Sequence, residues 1–204
     1  DNSCRFDSAS SAKLSRTPGS AGNRRTYTIS FWFKRGIRSS STMYLFDVDG
    51  NGEIYILSSE LLGTQGYGSA YQQYKRVFRD FSGWYHYILA VDTTQGDGAD
   101  RVKHYLNGEL LDPNDYTGTQ PNLNDDSDVN NDDPHTIGGK TSGNYFDGLI
   151  AEFHLIDGTQ LDQTSFGEIG DYGEWKPIRY SGSHGTNGFH LDFSNASALG
   201  DDAA

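Results

Sequence analysis

The sequence contains a single cysteine, Cys4, so no disulfide can form within the chain. It has no Cys-X-X-Cys pair, which argues against a structural zinc site of that kind. It also has no run of about 18 apolar residues, so no membrane-spanning helix is expected. The fold must therefore depend on its hydrophobic core, and 204 residues are enough to bury one.

Positive charge is scarce in this sequence. The chain has 16 Lys and Arg against 28 Asp and Glu, which gives a formal net charge of −12. An acidic surface repels phosphate backbones, so nucleic-acid binding is not expected. Carboxylates attract hard cations such as calcium, although solubility alone is also a sufficient reason for such a charge.

Aromatic residues (13%) and 25 glycines are plentiful, and the glycines fall between short apolar runs. Alternating apolar and polar residues predict strands over 28–34, 43–46, 54–57, 101–106, 149–156 and 188–193. The stretch 84–92 is apolar on both faces, which predicts a strand between two layers. Residues 63–68 and 112–133 are interpreted as loops, and 162–169 as one short helical turn capped by Asp162 or Thr164. The pattern predicts a single all-β domain over residues 1–204, a two-sheet antiparallel jelly-roll sandwich.

Four blocks of the sequence resemble laminin-G-like domains of the concanavalin A-like lectin/glucanase class, in their order and spacing. The blocks are TISFWFKR (28–35), GWYH followed by LAVD (83–92), DRVKHYLNG (100–108) and YFDGLIAE followed by His154 (145–154). Together they cover about residues 26–170 and imply the concanavalin A-like fold. Function follows from such a resemblance only by analogy.

A narrower resemblance covers residues 15–25, 156–168 and 180–193, which are similar to laminin-G-like proteins of marine tailed phages. It implies a component of the virion, such as a tail fibre or surface protein. The expected function is lectin-like attachment to host-surface glycans. Each site is expected to bind weakly, and many copies on one particle would act together. A homotrimer is the favoured arrangement of these copies. The alternative is a purely structural or protein-interaction domain that binds other virion proteins.

A polar segment rich in tyrosine is the main candidate for sugar binding. Exposed tyrosine rings stack on sugar faces, and amides bond to hydroxyls. The candidate residues are Gln65, Tyr67, Tyr71, Gln73, Tyr74 and Tyr116; a tyrosine-rich edge strand without a ligand is the alternative. By contrast, Trp32 and Trp84 are interpreted as core packing, and His86 and His154 as hydrogen-bonded core residues.

Two acidic segments are candidate calcium sites. The loop 124–133 carries Asp125, Asp126, Asp128, Asp132 and Asp133, whose mutual repulsion a cation would relieve. The family resemblance implies calcium on a loop at one edge of the sandwich, which favours this segment. The second candidate, with Asp47, Asp49 and Asn51, matches half of a calcium loop but has Ser58 where a bidentate Glu belongs. A solvated loop and an ordinary hairpin turn are the respective alternatives.

Catalytic motifs are missing from the sequence. Glycoside hydrolysis generally needs two carboxyl groups about 5 to 9 Å apart. The resemblance implies that an enzyme of this class would carry them on one strand, as Glu-x-Asp-x-x-Glu, and no such run occurs. Gly-x-Ser-x-Gly and His-Glu-x-x-His are also absent. A non-catalytic binding domain is therefore predicted.

Overall fold

Short strands joined by turns make up most of the computed structural model, which describes residues 2–204. The strands are β1 (Cys4–Phe6), β2 (Leu14–Arg16), β3 (Thr26–Arg35), β4 (Met43–Val48), β5 (Gly52–Ile56), β6 (Leu61–Tyr67), β7 (Ala70–Val77), β8 (Tyr85–Asp92), β9 (Val102–Leu106), β10 (Glu109–Leu110), β11 (Tyr116–Gly118), β12 (His135–Ile137), β13 (Gly148–Asp157), β14 (Gly167–Ile169), β15 (Trp175–Pro177) and β16 (Phe189–Leu191). The helices of the described residues are short 3-10 turns at Ser8–Ser10, Gly98–Asp100 and Gln163–Ser165. None of the described helices is long and apolar enough to cross a membrane.

The first sheet has seven strands in the order β1-β13-β3-β8-β9-β10, with β16 also paired to β13. Its centre consists of the long strands β3, β8 and β13, which pair antiparallel. Because β1 and β16 both pair with β13, strands from the two ends of the chain lie in the same sheet.

The second sheet also has seven strands, in the order β11-β7-β6-β5-β4-β12-β2. Strands β4 to β7 form a meander in which each strand pairs antiparallel with the next. The two sheets pack face to face, and their inner side chains form one core. This arrangement confirms the predicted all-β antiparallel sandwich.

Aromatic side chains from both sheets dominate this core. Phe31 of β3 stacks on Phe153 of β13 with ring centroids 5.3 Å apart. Phe153 also stacks on Phe46 of the second sheet, with centroids 5.9 Å apart. Since alternate residues of a strand share a face, Ile29 and Phe33 are buried beside Phe31, as the sequence predicts.

Strand β8 is buried on both faces, which confirms the prediction from its apolar sequence. Leu89 and Val91 belong to the main core. Ile88 and Ala90, on the opposite face, pack with Phe166, which follows the third 3-10 turn. The segment after residue 158 therefore covers part of the outer face of the first sheet.

Two local predictions have different outcomes. Asp162 caps the third 3-10 turn, as predicted, because its carboxylate accepts a hydrogen bond of 3.0 Å from the Thr164 amide.

The prediction of a loop at 63–68 is wrong, since residues 61–67 form β6. Gly63 and Gly66 serve close packing there rather than a turn: a Cβ on either would lie within 2.5 Å of a neighbouring residue.

Candidate functional site

Burial alternates along β7 and divides the predicted sugar-binding residues into two sets. Tyr71 and Gln73 point out of the sandwich, whereas Gln72 and Tyr74 point into it. Tyr71 is 46% exposed and Tyr74 only 3%. Residues three apart lie on opposite faces of a strand, so Tyr71 and Tyr74 do not share a surface.

Tyr67 is also buried, with no exposed area, and belongs to the main core. The register shifts between Gln65 and Tyr67, where Gly66 has a φ of +114°, and this irregularity turns the Tyr67 ring inward. Its hydroxyl donates a 2.7 Å hydrogen bond to Thr64 Oγ1. The expectation that Tyr67 and Tyr74 present exposed rings is therefore wrong.

Tyr116 lies next to Tyr74 because β11 pairs with β7 at the edge of the second sheet. The two rings have centroids 5.7 Å apart, and Tyr116 is half-buried. Tyr116 is thus separated from Tyr71 by the thickness of the sheet, and sugar binding at Tyr116 stays a prediction.

The structure brings Gln65, Tyr71 and Gln73 together on the outer surface of the second sheet. Gln65 pairs with Tyr71 across β6 and β7, and with Glu53 across β5 and β6. Gln73 lies in the adjacent row, opposite Gly63. We call this surface the Tyr71 face; it comprises Tyr44, Glu53, Tyr55, Gln65, Tyr71, Gln73 and Lys140.

Tyr55 forms part of the floor of the Tyr71 face. Its ring lies across β6 where Gly63 has no side chain, and a Cβ there would be 2.4 Å from the ring. Tyr44 packs beside it on β4, with ring centroids 5.6 Å apart. Burial raises the pKa of Tyr55 to about 12, so its phenol stays neutral at pH 7.

A buried ion pair lies beside these rings. The Lys140 ammonium pairs with the Glu53 carboxylate and lies 4.4 Å from the centroid of the Tyr44 ring. Burial raises the pKa of Glu53, and Lys140 only partly opposes it. Burial lowers the pKa of Lys140, but the hydrogen bond to Glu53 and the charges of Glu53, Tyr44 and Asp47 together outweigh it, and the pKa is raised overall. The pair places a donor and an acceptor next to apolar ring surface.

Sequence reasoning missed Tyr44, Glu53, Tyr55 and Lys140 as neighbours of Tyr71. The predicted hairpin over 43–57 was a usable signal, because its pairing alone places Tyr44 beside Tyr55. Lys140 follows β12 and is distant in sequence from β5, so no local pattern indicates its contact with Glu53.

The acidic loop packs against the sandwich rather than extending into solvent. Ser127 and Val129 are buried, and the Ser127 carbonyl accepts a 2.6 Å hydrogen bond from Arg24 Nε. Asp126 pairs with Arg25 at 2.7 Å and Asp128 with Arg24 at 3.7 Å. The loop's charge is thus partly neutralised by arginines that precede β3.

The remaining carboxylates of this loop are spread out. Asp125 accepts hydrogen bonds from the Asn122 amide and side chain, and Asp133 accepts one from Asn131 Nδ2; Asp132 is exposed. Within residues 2–204, no three of the loop's carboxylates lie together at the spacing of metal ligands. Calcium binding there stays a prediction.

The Asp47 turn has the geometry of an ordinary hairpin connection. Asp47 is fully buried, and its carboxylate accepts hydrogen bonds of 3.1 and 3.3 Å from the Gly50 amide. Asp49 adopts a φ of +44°, and Asn51 is exposed. Burial raises the pKa of Asp47. The Asp47 carboxylate is thus already bonded within the turn, and the role of Asp47, Asp49 and Asn51 as calcium ligands stays a prediction.

The interpretation of the tryptophans needs correction. Trp32 points out of the first sheet and stacks on His86, with ring centroids 4.7 Å apart. Trp84 is 37% exposed, and both tryptophans line a cleft of about 240 Å³ on that face. His86 is buried, and its ring nitrogens bond to Ser30 and Trp175, which confirms its interpretation as a satisfied core residue.

Two antiparallel sheets packed face to face define an all-β sandwich of the jelly-roll type. The family model of the concanavalin A-like lectin/glucanases superfamily matches residues 6–163, and the chain belongs to this superfamily. No curated protein is significantly similar to the chain.

Solved structures with the same fold include a Bacteroides ovatus protein to which carbohydrate binding has been ascribed. It is 16% identical with a TM-score of 0.55, over 78% of this chain and 44% of that one, so this chain spans less than half of its length. The CBM40 of the Ruminococcus gnavus IT-sialidase is 13% identical with a TM-score of 0.52, over 80% of this chain and 95% of that module. At such identities the similarity concerns the fold alone.

Proposed function

We propose that this chain is a non-catalytic module that binds carbohydrate on the Tyr71 face. The observation that carries the proposal is the half-exposed Tyr71 ring, set beside Gln65 and Gln73 on an outer sheet surface. An aromatic ring offers apolar area to the C–H face of a sugar, and side-chain amides bond to its hydroxyls. Two proteins of this fold carry names that specify carbohydrate binding, so sugars are the first ligand class to test.

The carboxylates of this face support a binding role rather than hydrolysis. Asp47 and Glu53 pair across β4 and β5, but they are only 0% and 3% exposed. Asp47 is engaged by the Gly50 amide and Glu53 by Lys140. A general acid and its partner must reach the glycosidic bond, and neither carboxylate is presented to solvent for that purpose.

The proposal extends to a phage virion, where the module would attach the particle to host-surface glycans. Its support is the resemblance of the sequence to proteins of marine tailed phages. A flat, open sheet surface gives modest affinity per site, because few contacts compensate for lost hydration and freedom. A homotrimer within a fibre or surface protein, in contact with other virion proteins, would raise the effective concentration. Calcium in the acidic loop 124–133 is a further part of the proposal.

A glycan array probed with the multimerised chain, with calcium or with EDTA, tests this proposal. We expect Tyr71→Ala to weaken a positive signal at least about fivefold, since stacking contributes about 1 kcal/mol beyond the buried area. Tyr172→Ala is the matched control, because Tyr172 is 97% exposed and lies outside the Tyr71 face. Loss of signal in EDTA that added calcium chloride restores, and zinc chloride does not, would support the calcium site.

Two results would contradict carbohydrate binding at this surface. One is an array that stays blank in calcium while the chain binds other proteins of its own virion, which favours the structural role. The other is a positive signal that Tyr71→Ala leaves unchanged, which moves the site to another surface.

A further inference from the structure

Three histidines and a glutamate meet on the outer face of the first sheet, on the opposite side of the sandwich from the Tyr71 face. His154 of β13 and His190 of β16 are direct cross-strand partners. Their rings lie nearly parallel, with centroids 3.9 Å apart. His184, from the segment before β16, stacks beside His154 with centroids 5.5 Å apart.

A β-bulge adds Glu152 to this group. The pairing of β13 with β3 shifts between Ala151 and His154, and Glu152 has a φ of +46°. Its carboxylate oxygen Oε2 lies 2.9 Å from His190 Nε2 and 3.9 Å from His154 Nε2. The bulge thus aims a carboxylate at two imidazole nitrogens that the strand pairing already holds side by side.

We propose that Glu152, His154 and His190 form a binding site for a zinc ion. Zinc is bound by histidine nitrogen and carboxylate oxygen at about 2.0 to 2.2 Å, in tetrahedral geometry, which places neighbouring ligand atoms about 3.4 Å apart. The two distances from Glu152 Oε2 bracket that value. Because the two imidazole rings are stacked nearly parallel, they would have to rotate apart for both Nε2 lone pairs to point at one ion. Within residues 2–204 this is also the one set of three potential ligands that come together.

His184 acts as a positioning residue for His154. His154 Nδ1 and His184 Nε2 are 3.2 Å apart. When His154 Nδ1 donates this hydrogen bond, His154 Nε2 carries no proton and can bind the metal. Partners of this kind fix the ring orientation and tautomer of metal-bound histidines.

The surroundings leave one side of the site open. Glu152, His184 and His190 line a cleft of about 840 Å³ together with Tyr180 and Asp192. With three protein ligands, the fourth position of a tetrahedral zinc faces this cleft and is available to water or a small anionic ligand. The bound ion would join β13 to β16.

Isothermal titration of the metal-free chain with zinc chloride tests the site. We expect one ion per chain, and a rise in Tm upon addition of zinc, because the ion binds the native state. Glu152→Gln and His190→Gln should each abolish most of the binding, and His184→Ala should weaken it about 10- to 100-fold. Asp192→Asn is the matched control: it changes a carboxylate of the same cleft outside the ligand set and should bind zinc normally.

A second measurement does not depend on the folding of any variant. In the isotope-labelled wild-type chain, zinc should shift the Nε2 resonances of His154 and His190 and leave those of His86 unchanged. Absence of these shifts, or of binding by the wild-type chain at micromolar zinc, would overturn the proposal. So would unchanged binding by correctly folded Glu152→Gln and His190→Gln variants.

Discussion

At the scale of single residues, tyrosine side chains serve both as core residues and as surface residues in this chain. Tyr67 and Tyr71 both lie in the β6–β7 hairpin, yet one is a core residue and the other is 46% exposed. The difference arises at Gly66, whose positive φ interrupts the alternation just before Tyr67. Mutation of each tyrosine should therefore affect a different property.

We predict that Tyr67→Ala lowers the free energy of unfolding by about 3 to 5 kcal/mol, because removal of a buried aromatic ring leaves a cavity. Tyr71→Ala should change it by less than about 0.5 kcal/mol, since that ring lies at the surface. Urea unfolding monitored by circular dichroism measures both values. Equal effects of the two substitutions would contradict the inward orientation of Tyr67.

Part of this distinction could be predicted from the sequence. Tyr71 and Tyr74 are three residues apart in an extended segment, so their placement on opposite faces follows from strand geometry alone. The inward turn of Tyr67 could not be predicted in this way. It depends on close packing of Gly66 against Asn51 and Gly52, which belong to the neighbouring hairpin.

At the scale of elements, the bulge in β13 is the feature that local patterns describe least well. The position of the strand is predictable from the apolar residues of 149–156. The extra residue of the bulge is not predictable from the sequence, because Glu152 has a positive φ although it is not a glycine. The sequence pattern therefore indicates only a hydrogen-bonded core residue at His154, whereas β13 and β16 bring His154 and His190 together.

Deletion of single residues tests the bulge directly. Removing Glu152 should leave the sandwich folded, because Ala151 and Phe153 then become consecutive residues of a regular strand on their present faces. Removing Leu155 should unfold the chain or strongly destabilise it, since the register change would turn Phe153 out of the main core and His154 into it. Thermal unfolding followed by circular dichroism compares the two deletions. A folded Leu155 deletion together with an unfolded Glu152 deletion would contradict this description of β13.

At the scale of the whole molecule, buried histidines link stability to pH. His104 lies in the interior between the two sheets, where it is 1% exposed. The Tyr87 hydroxyl lies 2.6 Å from its Nδ1, and Gln72 Oε1 lies 2.5 Å from its Nε2. The Gln72 amide donates to Gln120, so Oε1 of Gln72 is the acceptor and His104 Nε2 carries the proton. Both nitrogens of the neutral ring are therefore satisfied, and burial lowers the pKa of His104 to about 3.

The folded chain should consequently lose stability in mild acid. An unfolded histidine titrates near pH 6.5, so between about pH 6.5 and pH 3 the unfolded state binds more protons at this residue. The contribution of His104 to the free energy of unfolding is then complete above pH 6.5 and decreases as the pH falls. The His104→Gln variant lacks this titrating group but keeps a hydrogen-bond donor and an acceptor at the same place. Its free energy of unfolding should therefore fall less steeply with decreasing pH than that of the wild type, and the two slopes should differ by up to about 1.4 kcal/mol per pH unit. Urea unfolding at a series of pH values measures both slopes, and parallel curves would show that His104 is not a neutral, buried histidine.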